Sequence, residues 1–219
     1  YYNLKTVDLE KSPDNSSVPY TFSNLIVPKR QIEGELLYLK TKVVYLYFSS
    51  VDENTVRSIM SYFSLYPQFS IEKVKFEVIA MQIIKTNSFQ HNREYRFTAL
   101  SPITLCADVD KSKQLDVKNF KQLSKLVEEN LVKRYENYHK KQLNDVYLSF
   151  SIDEEYLLRK NYQVHKKIAI MDGERIIENV CCVFAPFNVI GNPELLEFGY
   201  YSGFGYKTYA GFGMGEIIS

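Results

Sequence analysis

The chain has 219 residues, enough for one large domain or two of about 100 residues each. Apolar residues at 45% and mixed charges at 24% argue for a real core and against disorder, while a net charge of +1 leaves any nucleic-acid face to be sought in local clusters. No apolar run reaches the length of a membrane span and no signal peptide opens the sequence, so a cytoplasmic protein without a membrane partner is expected.

Tyr1 to Ser17 is polar and turn-rich and reads as a loop. Tyr20, Phe22 and Leu25 to Val27 then suggest one strand, and with Glu35 to Lys40 and Val43 to Phe48 they read as two or three strands of one sheet. Ser50-Val51-Asp52-Glu53 matches a capping box with Ser50 at the cap, and Val56, Ile59, Met60 and Phe63 follow at helical spacing to about Leu65. Pro67 stops that helix; Val74 to Ala80 alternates as a half-buried strand, and Tyr95 to Leu100 reads as another.

A second cycle starts at Ile103, with a strand to Ala107, a charged connector from Lys111 to Lys118, and a long amphipathic helix carrying Phe120, Leu123, Val127, Leu131, Tyr135 and Tyr138. Strands are expected at Val146 to Ile152, Lys166 to Ile170 and Ile176 to Phe184. Asn192 then caps a helix with Pro193 at its first position, and a short strand closes the chain from Met214 to Ile218. These orders predict an α+β fold of two tandem ferredoxin-like (RRM-like) domains. Residues 1–102 form the first, lacking its first strand and helix, and residues 103–219 the second.

Cys106, Cys181 and Cys182 form no CxxC pair and read as buried free thiols; His91, His139 and His165 have no ligand spacing, so neither metal nor cofactor is expected. The charges from Lys121 to Lys141 alternate along a helix and read as a solvated face, with His139 answering the helix dipole. The distinctive stretch is Gly203-Phe204-Gly205-Tyr206-Lys207-Thr208-Tyr209-Ala210-Gly211-Phe212-Gly213, which joins the last helix to the last strand. Glycine permits close backbone approach and positive φ, so Gly203, Gly205, Gly211 and Gly213 around Lys207 suggest a loop whose amides and ammonium face a phosphate.

This loop resembles the signature of the CRISPR repeat-RNA-processing endoribonucleases, the Cas-six family of the RAMP superfamily. Pro19 to Leu25, Tyr47 to Ser50 and Thr98 to Ile103 resemble further recurrent segments of that family, in the same order. The resemblance implies a metal-independent RNase that cuts precursor CRISPR RNA by 2′-hydroxyl attack, leaving a 2′,3′-cyclic phosphate and a 5′-hydroxyl. It also implies repeat RNA as partner, a possible place in an effector complex, and a monomer or homodimer. One departure stands out: the histidine many members carry before the aromatic-Thr-aromatic-Ser strand has no counterpart in Leu9 to Val18.

In this histidine-poor setting Lys29 and Arg30 are the candidates to hold the scissile phosphate or stabilise its transition state, with Lys11 a weaker one, and Tyr20 is a candidate to supply a hydroxyl. Arg159, Lys160, His165, Lys166 and Lys167, interleaved with Tyr162, suit phosphate contact and base stacking. Lys207 is an RNA contact candidate, as are Arg93 and Arg96 near the junction. Two other readings fit the same residues: a non-cleaving RAMP subunit that holds RNA, and a ferredoxin-like sensor whose glycine loop binds a nucleotide.

Overall fold

The computed structural model describes residues 18–34, 36–71, 74–84, 88–105, 116–173 and 175–218. The Tyr1 to Ser17 loop with Lys11, Cys106, and the connector as far as residue 115 lie outside the described residues. In chain order come β1 (Tyr20–Phe22), β2 (Arg30–Glu33), β3 (Leu36–Leu39), β4 (Phe48–Ser50), α1 (Glu53–Leu65), β5 (Gln68–Ile71), β6 (Val74–Glu77) and β7 (Tyr95–Ala99). Then follow α2 (Phe120–His139), β8 (Leu148–Ile152), α3 (Glu154–Arg159), β9 (His165–Asp172), β10 (Arg175–Val183), β11 (Phe187–Gly191), α4 (Pro193–Ser202), a 3-10 turn (Thr208–Ala210) and β12 (Gly215–Ile217).

Leu123, Val127, Leu131 and Tyr135 recur every four residues on α2 and are all buried, so the helical period of the sequence selects the face that meets the sheet. That sheet is antiparallel, in the order β12-β7-β11-β8. β7 and β8 flank β11 and are joined through α2; β11 and β12 are joined through α4. This is the strand-helix-strand-strand-helix-strand order of a ferredoxin-like unit. The centre is aromatic: Phe187 stacks on Phe97 at 5.0 Å and on Phe150 at 5.3 Å, and Phe204 meets Phe97 and Phe187 edge-on at 5.3 and 5.4 Å. All four rings are fully buried, each contributing about 1.5–3 kcal/mol by leaving water.

Several strand assignments differ from the sequence reading. β7, read with the first half, is the first strand of this sheet because Tyr95 and Phe97 alternate inward and Phe97 pairs with both Phe187 and Ile217. Ile103 and Thr104, read as opening the second cycle, make only single bridges to Val183 and Tyr206; the preceding Pro102 has no amide with which to extend a ladder. β11, which like β7 is paired on both sides, was not anticipated, since its five residues run straight into the Asn192 cap. β9 and β10, read as strands of the sheet, instead form a separate antiparallel hairpin.

In the first half, the strands expected in one sheet are divided: β1 pairs with β4, while β2-β3 and β5-β6 form two separate hairpins. α1 ends at Leu65 as expected, but its cap is Asp52, whose carboxylate accepts from the amides of Asn54 and Thr55. Ser50 does not cap: it is held in β4 opposite Tyr20, donates its hydroxyl proton to the carbonyl of Pro19, and accepts from the amide of Asp52 rather than from the first turn of the helix. The expected Val43 to Phe48 strand shrinks to β4 and a single Tyr45 to Ile26 bridge. No described helix is long and apolar enough to cross a membrane.

Candidate nucleic-acid interface

Asn192 caps α4 through hydrogen bonds from the amides of Glu194 and Leu195, with Pro193 at the first position, and the helix delivers the chain into the glycine loop at Gly203. Gly203, Gly205, Gly211 and Gly213 all have φ between 81° and 89° and all are buried. The loop amides turn inward: Phe204 donates to the carbonyl of Gly213 at 2.8 Å, Gly213 to Pro102 at 2.7 Å and Tyr206 to Thr104 at 2.8 Å. A Cβ on Gly211 would lie 2.4 Å from the Phe22 ring, so glycine is what lets the loop close on β1. Thr21 seals the same contact by donating its hydroxyl proton to the Phe212 carbonyl at 2.9 Å.

Arg134 holds the loop from the other side. Its guanidinium donates to the carbonyls of Ser202 at 2.6 Å, Gly203 at 2.9 Å and Gly205 at 3.2 Å, at the C-terminal end of α4, where helix carbonyls lack partners. This α2 side chain, read as part of a solvated face, was missed. The available signal was its position seven residues after Val127 and three after Leu131, on the apolar stripe of the helix.

Lys207 adopts the left-handed conformation, φ 57°, and its ammonium meets the Glu178 carboxylate of β10 at 2.7 Å. The register places Glu178, Val180 and Cys182 of β10 on one face with Lys166, Ile168 and Ile170 of β9. Val180 and Cys182 pack with Phe212, with Ile168, Ile170 and Ala210 around them, so the hairpin is docked on the loop. Cys181 and Cys182 are buried free thiols, as expected, and burial pushes the Cys182 thiol up to about 12.

The basic stretch is organised by α3, a six-residue helix the sequence reading did not anticipate; Asp153 caps it by accepting from the Tyr156 amide at 2.8 Å. Arg159 and Lys160 lie over the Tyr156 ring, 5.3 and 5.8 Å from its centroid, and Lys118 lies 3.8 Å over Tyr162. Asn161 and Tyr162, both at positive φ, turn the chain into β9, where His165, Lys166 and Lys167 are exposed. The fold thus sets cations from two segments, Lys118 before α2 and Arg159 with Lys160 at the end of α3, over two tyrosines. Lys118 and Tyr156 are additions that sequence proximity alone did not supply.

The candidate catalytic residues are less concentrated. Tyr20 is half-buried in β1, stacked on Phe48 at 5.7 Å; burial, then the nearby Tyr209 hydroxyl, raises its pKa above the usual 10.0. Lys29 and Arg30 are exposed at the start of β2 and form no ion pair among the described residues. Arg96 is tied to Asp153 at 2.9 Å, and Arg93 lies over Tyr95 at 5.3 Å. His139, expected to answer the helix dipole as a cation, packs against Tyr135 at 4.3 Å, Tyr138 at 4.9 Å and Phe198 at 6.0 Å. Burial, then the Lys141 charge, lowers its pKa below 6.5, so it is neutral at pH 7.

The split sheet, the helix-to-strand glycine loop and the hairpin docked on it define an α+β protein of ferredoxin-like type, the fold of the RAMP proteins. The family model described as "CRISPR associated protein Cas6, C-terminal" matches residues 84–217, and the chain belongs to the Cas6 family. It is 29% identical over 204 residues to a CRISPR-associated endoribonuclease-like protein, Cas6nc, of Pyrococcus horikoshii, covering 91% of this chain and 79% of the relative. To the Cas6-named relative of Pyrococcus furiosus it is 28% identical over 205 residues, covering 91% and 78%. A solved structure described as a RAMP protein binding different RNA substrates superposes with a TM-score of 0.74 at 25% identity, over 95% of this chain and 82% of that one.

Proposed function

We propose that this chain binds CRISPR repeat RNA in the cytoplasm, along the face formed by Arg159, Lys160, His165, Lys166 and Lys167 and by the glycine loop with Lys207. The observation that carries this reading is the gathering of Lys118, Arg159 and Lys160 around Tyr156 and Tyr162 beside the exposed end of β9. Cations over aromatic rings offer phosphate contact and base stacking together. The likeness to a RAMP protein described as binding RNA supports it. Gly203, Gly205, Gly211 and Gly213 act in this scheme by shaping the loop that presents Lys207.

The finer reading is metal-independent cleavage, in which the ribose 2′-hydroxyl attacks the adjacent phosphate to give a 2′,3′-cyclic phosphate and a 5′-hydroxyl. Lys29 and Arg30 would stabilise the phosphorane charge, and Tyr20, which keeps its proton at neutral pH, would donate to the leaving 5′-oxygen. One observation favours the alternative of a non-cleaving RNA-holding subunit: none of these three side chains is a ready base for the 2′-hydroxyl. End-labelled repeat RNA incubated with the chain in EDTA, with a 2′-deoxy control at the cut site, separates the readings. Cleavage abolished by the deoxy substitution establishes the nuclease; tight binding without cleavage establishes the carrier. No binding overturns both.

A further inference from the structure

We propose that Glu178 is an electrostatic latch on Lys207: in the free protein its carboxylate holds the loop ammonium, and a phosphate of bound RNA displaces it. The inference rests on the RNA-binding reading above and adds a residue that sets the selectivity of that site. Lys207 occupies a left-handed backbone position that glycine takes without strain, in a loop already rich in glycine, so this position is defined by its side chain rather than its backbone. That side chain is spent on one acid, Glu178, at 2.7 Å; the lysine side chain is 16% exposed and the glutamate 32%. The acid is therefore the outer partner, and swinging it into solvent uncovers the ammonium without moving backbone.

The pair is not needed to dock the hairpin. Val180 and Cys182, on the same face of β10, pack with Phe212, with Ala210 at the edge of that apolar cluster. A carboxylate and a phosphodiester each carry one negative charge at neutral pH, so exchanging one for the other preserves the charge balance around Lys207. A stray anion must compete with a tethered carboxylate. An RNA already anchored on neighbouring cations competes at high local concentration. Lys166 is such an anchor: it lies opposite Cys182 on the same hairpin face, four residues or about 13 Å along the strand from Glu178.

The test measures affinity for labelled repeat RNA across a salt series with the wild-type chain, Glu178→Gln, Lys207→Gln and the double variant. Glu178→Gln is expected to bind about threefold to fivefold tighter at low salt, the scale of a partly exposed ion pair. Its salt dependence steepens, by up to about 0.7 in the log–log slope, because no freed carboxylate recruits a counterion. Lys207→Gln binds more weakly, with a slope close to that of the wild type and flatter than that of Glu178→Gln, and the double variant matches it. Acylation of Lys207 followed by mass spectrometry is faster in Glu178→Gln and is suppressed by RNA. If Glu178→Gln weakens binding as much as Lys207→Gln does, the pair is a brace and the latch is wrong. Unchanged affinity in Lys207→Gln also overturns it while leaving RNA binding intact. A wild-type chain that does not bind repeat RNA removes the RNA-binding reading, and the latch with it.

Discussion

Replacing Gly213 by alanine tests whether the glycine loop is an interior element. The residue has φ +82°, and an added Cβ would lie 2.2 Å from the carbonyl oxygen of Phe204 and 2.8 Å from its nitrogen. Left-handed backbone costs an L-residue about 1–2 kcal/mol. Relieving the clash must also open the bonds that Gly213 makes with Phe204 at 2.8 Å and Pro102 at 2.7 Å, and each buried group left unpaired costs about 1–3 kcal/mol. The sum is about 3–8 kcal/mol, a large part of the roughly 5–15 kcal/mol that holds such a protein folded. Gly173 is the control: φ is +58° but nothing lies within 4 Å of its Cβ position, so Gly173→Ala should cost only the backbone strain of about 1–2 kcal/mol. Urea unfolding followed by far-UV circular dichroism should show Gly213→Ala with an unchanged slope and a midpoint lower by about 1–3 M. Equal midpoints for the two variants would refute the reasoning.

Arg134→Lys should destabilise by about 1.5–3 kcal/mol and resemble Arg134→Ala in a thermal scan, because an ammonium cannot reproduce the guanidinium fork on three carbonyls. His139 has its folded pKa depressed below 6.5, so the unfolded chain takes up its proton first. Its contribution to stability is therefore complete above about pH 6.5 and declines as pH falls toward the folded pKa. NMR titration should place the ring's midpoint below 6.5, and His139→Phe should flatten stability in that window. Cys182, with its thiol pushed up to about 12, should resist a thiol reagent at pH 8 until urea unfolds the chain.

The second half was legible where local chemistry decides structure. Asn192-Pro193 set the start of α4, and the four-residue recurrence from Leu123 to Tyr135 set α2 and its buried face. β11 escaped because a five-residue strand between Pro186 and a helix cap has too little length for a period to show. Ser50 and Asp52 both fit a cap by residue type; the choice was made by the pairing of Ser50 with Tyr20, a contact thirty residues away in sequence. His139 looked like a dipole partner from its place at a helix end, but the rings of Tyr135, Tyr138 and Phe198 come from two helices and appear only in the fold. Lys207 was recognisable as the singular residue of the loop. Its partner Glu178 was not, because no local pattern links β10 to the loop.

The spacing of the loop has a physical reason in this fold. Each Gly-Phe-Gly step drives one ring inward: Phe204 into the sheet core beside Phe97 and Phe187, and Phe212 into the smaller cluster under the β9-β10 hairpin. The chain must turn sharply on either side of each ring, and flanking residues at positive φ allow it to do so without side-chain clash. The residues between the two steps span from one core to the other, with Lys207 on that span facing β10. Fixing Phe204 and Phe212 in separate cores therefore fixes the position of the ammonium. β1 closes on the same loop through Thr21 and Phe22. The strand that carries Tyr20, the hairpin that carries Lys166 and Lys167, and the loop that carries Lys207 are thus held in one frame by two phenylalanines and the glycines around them.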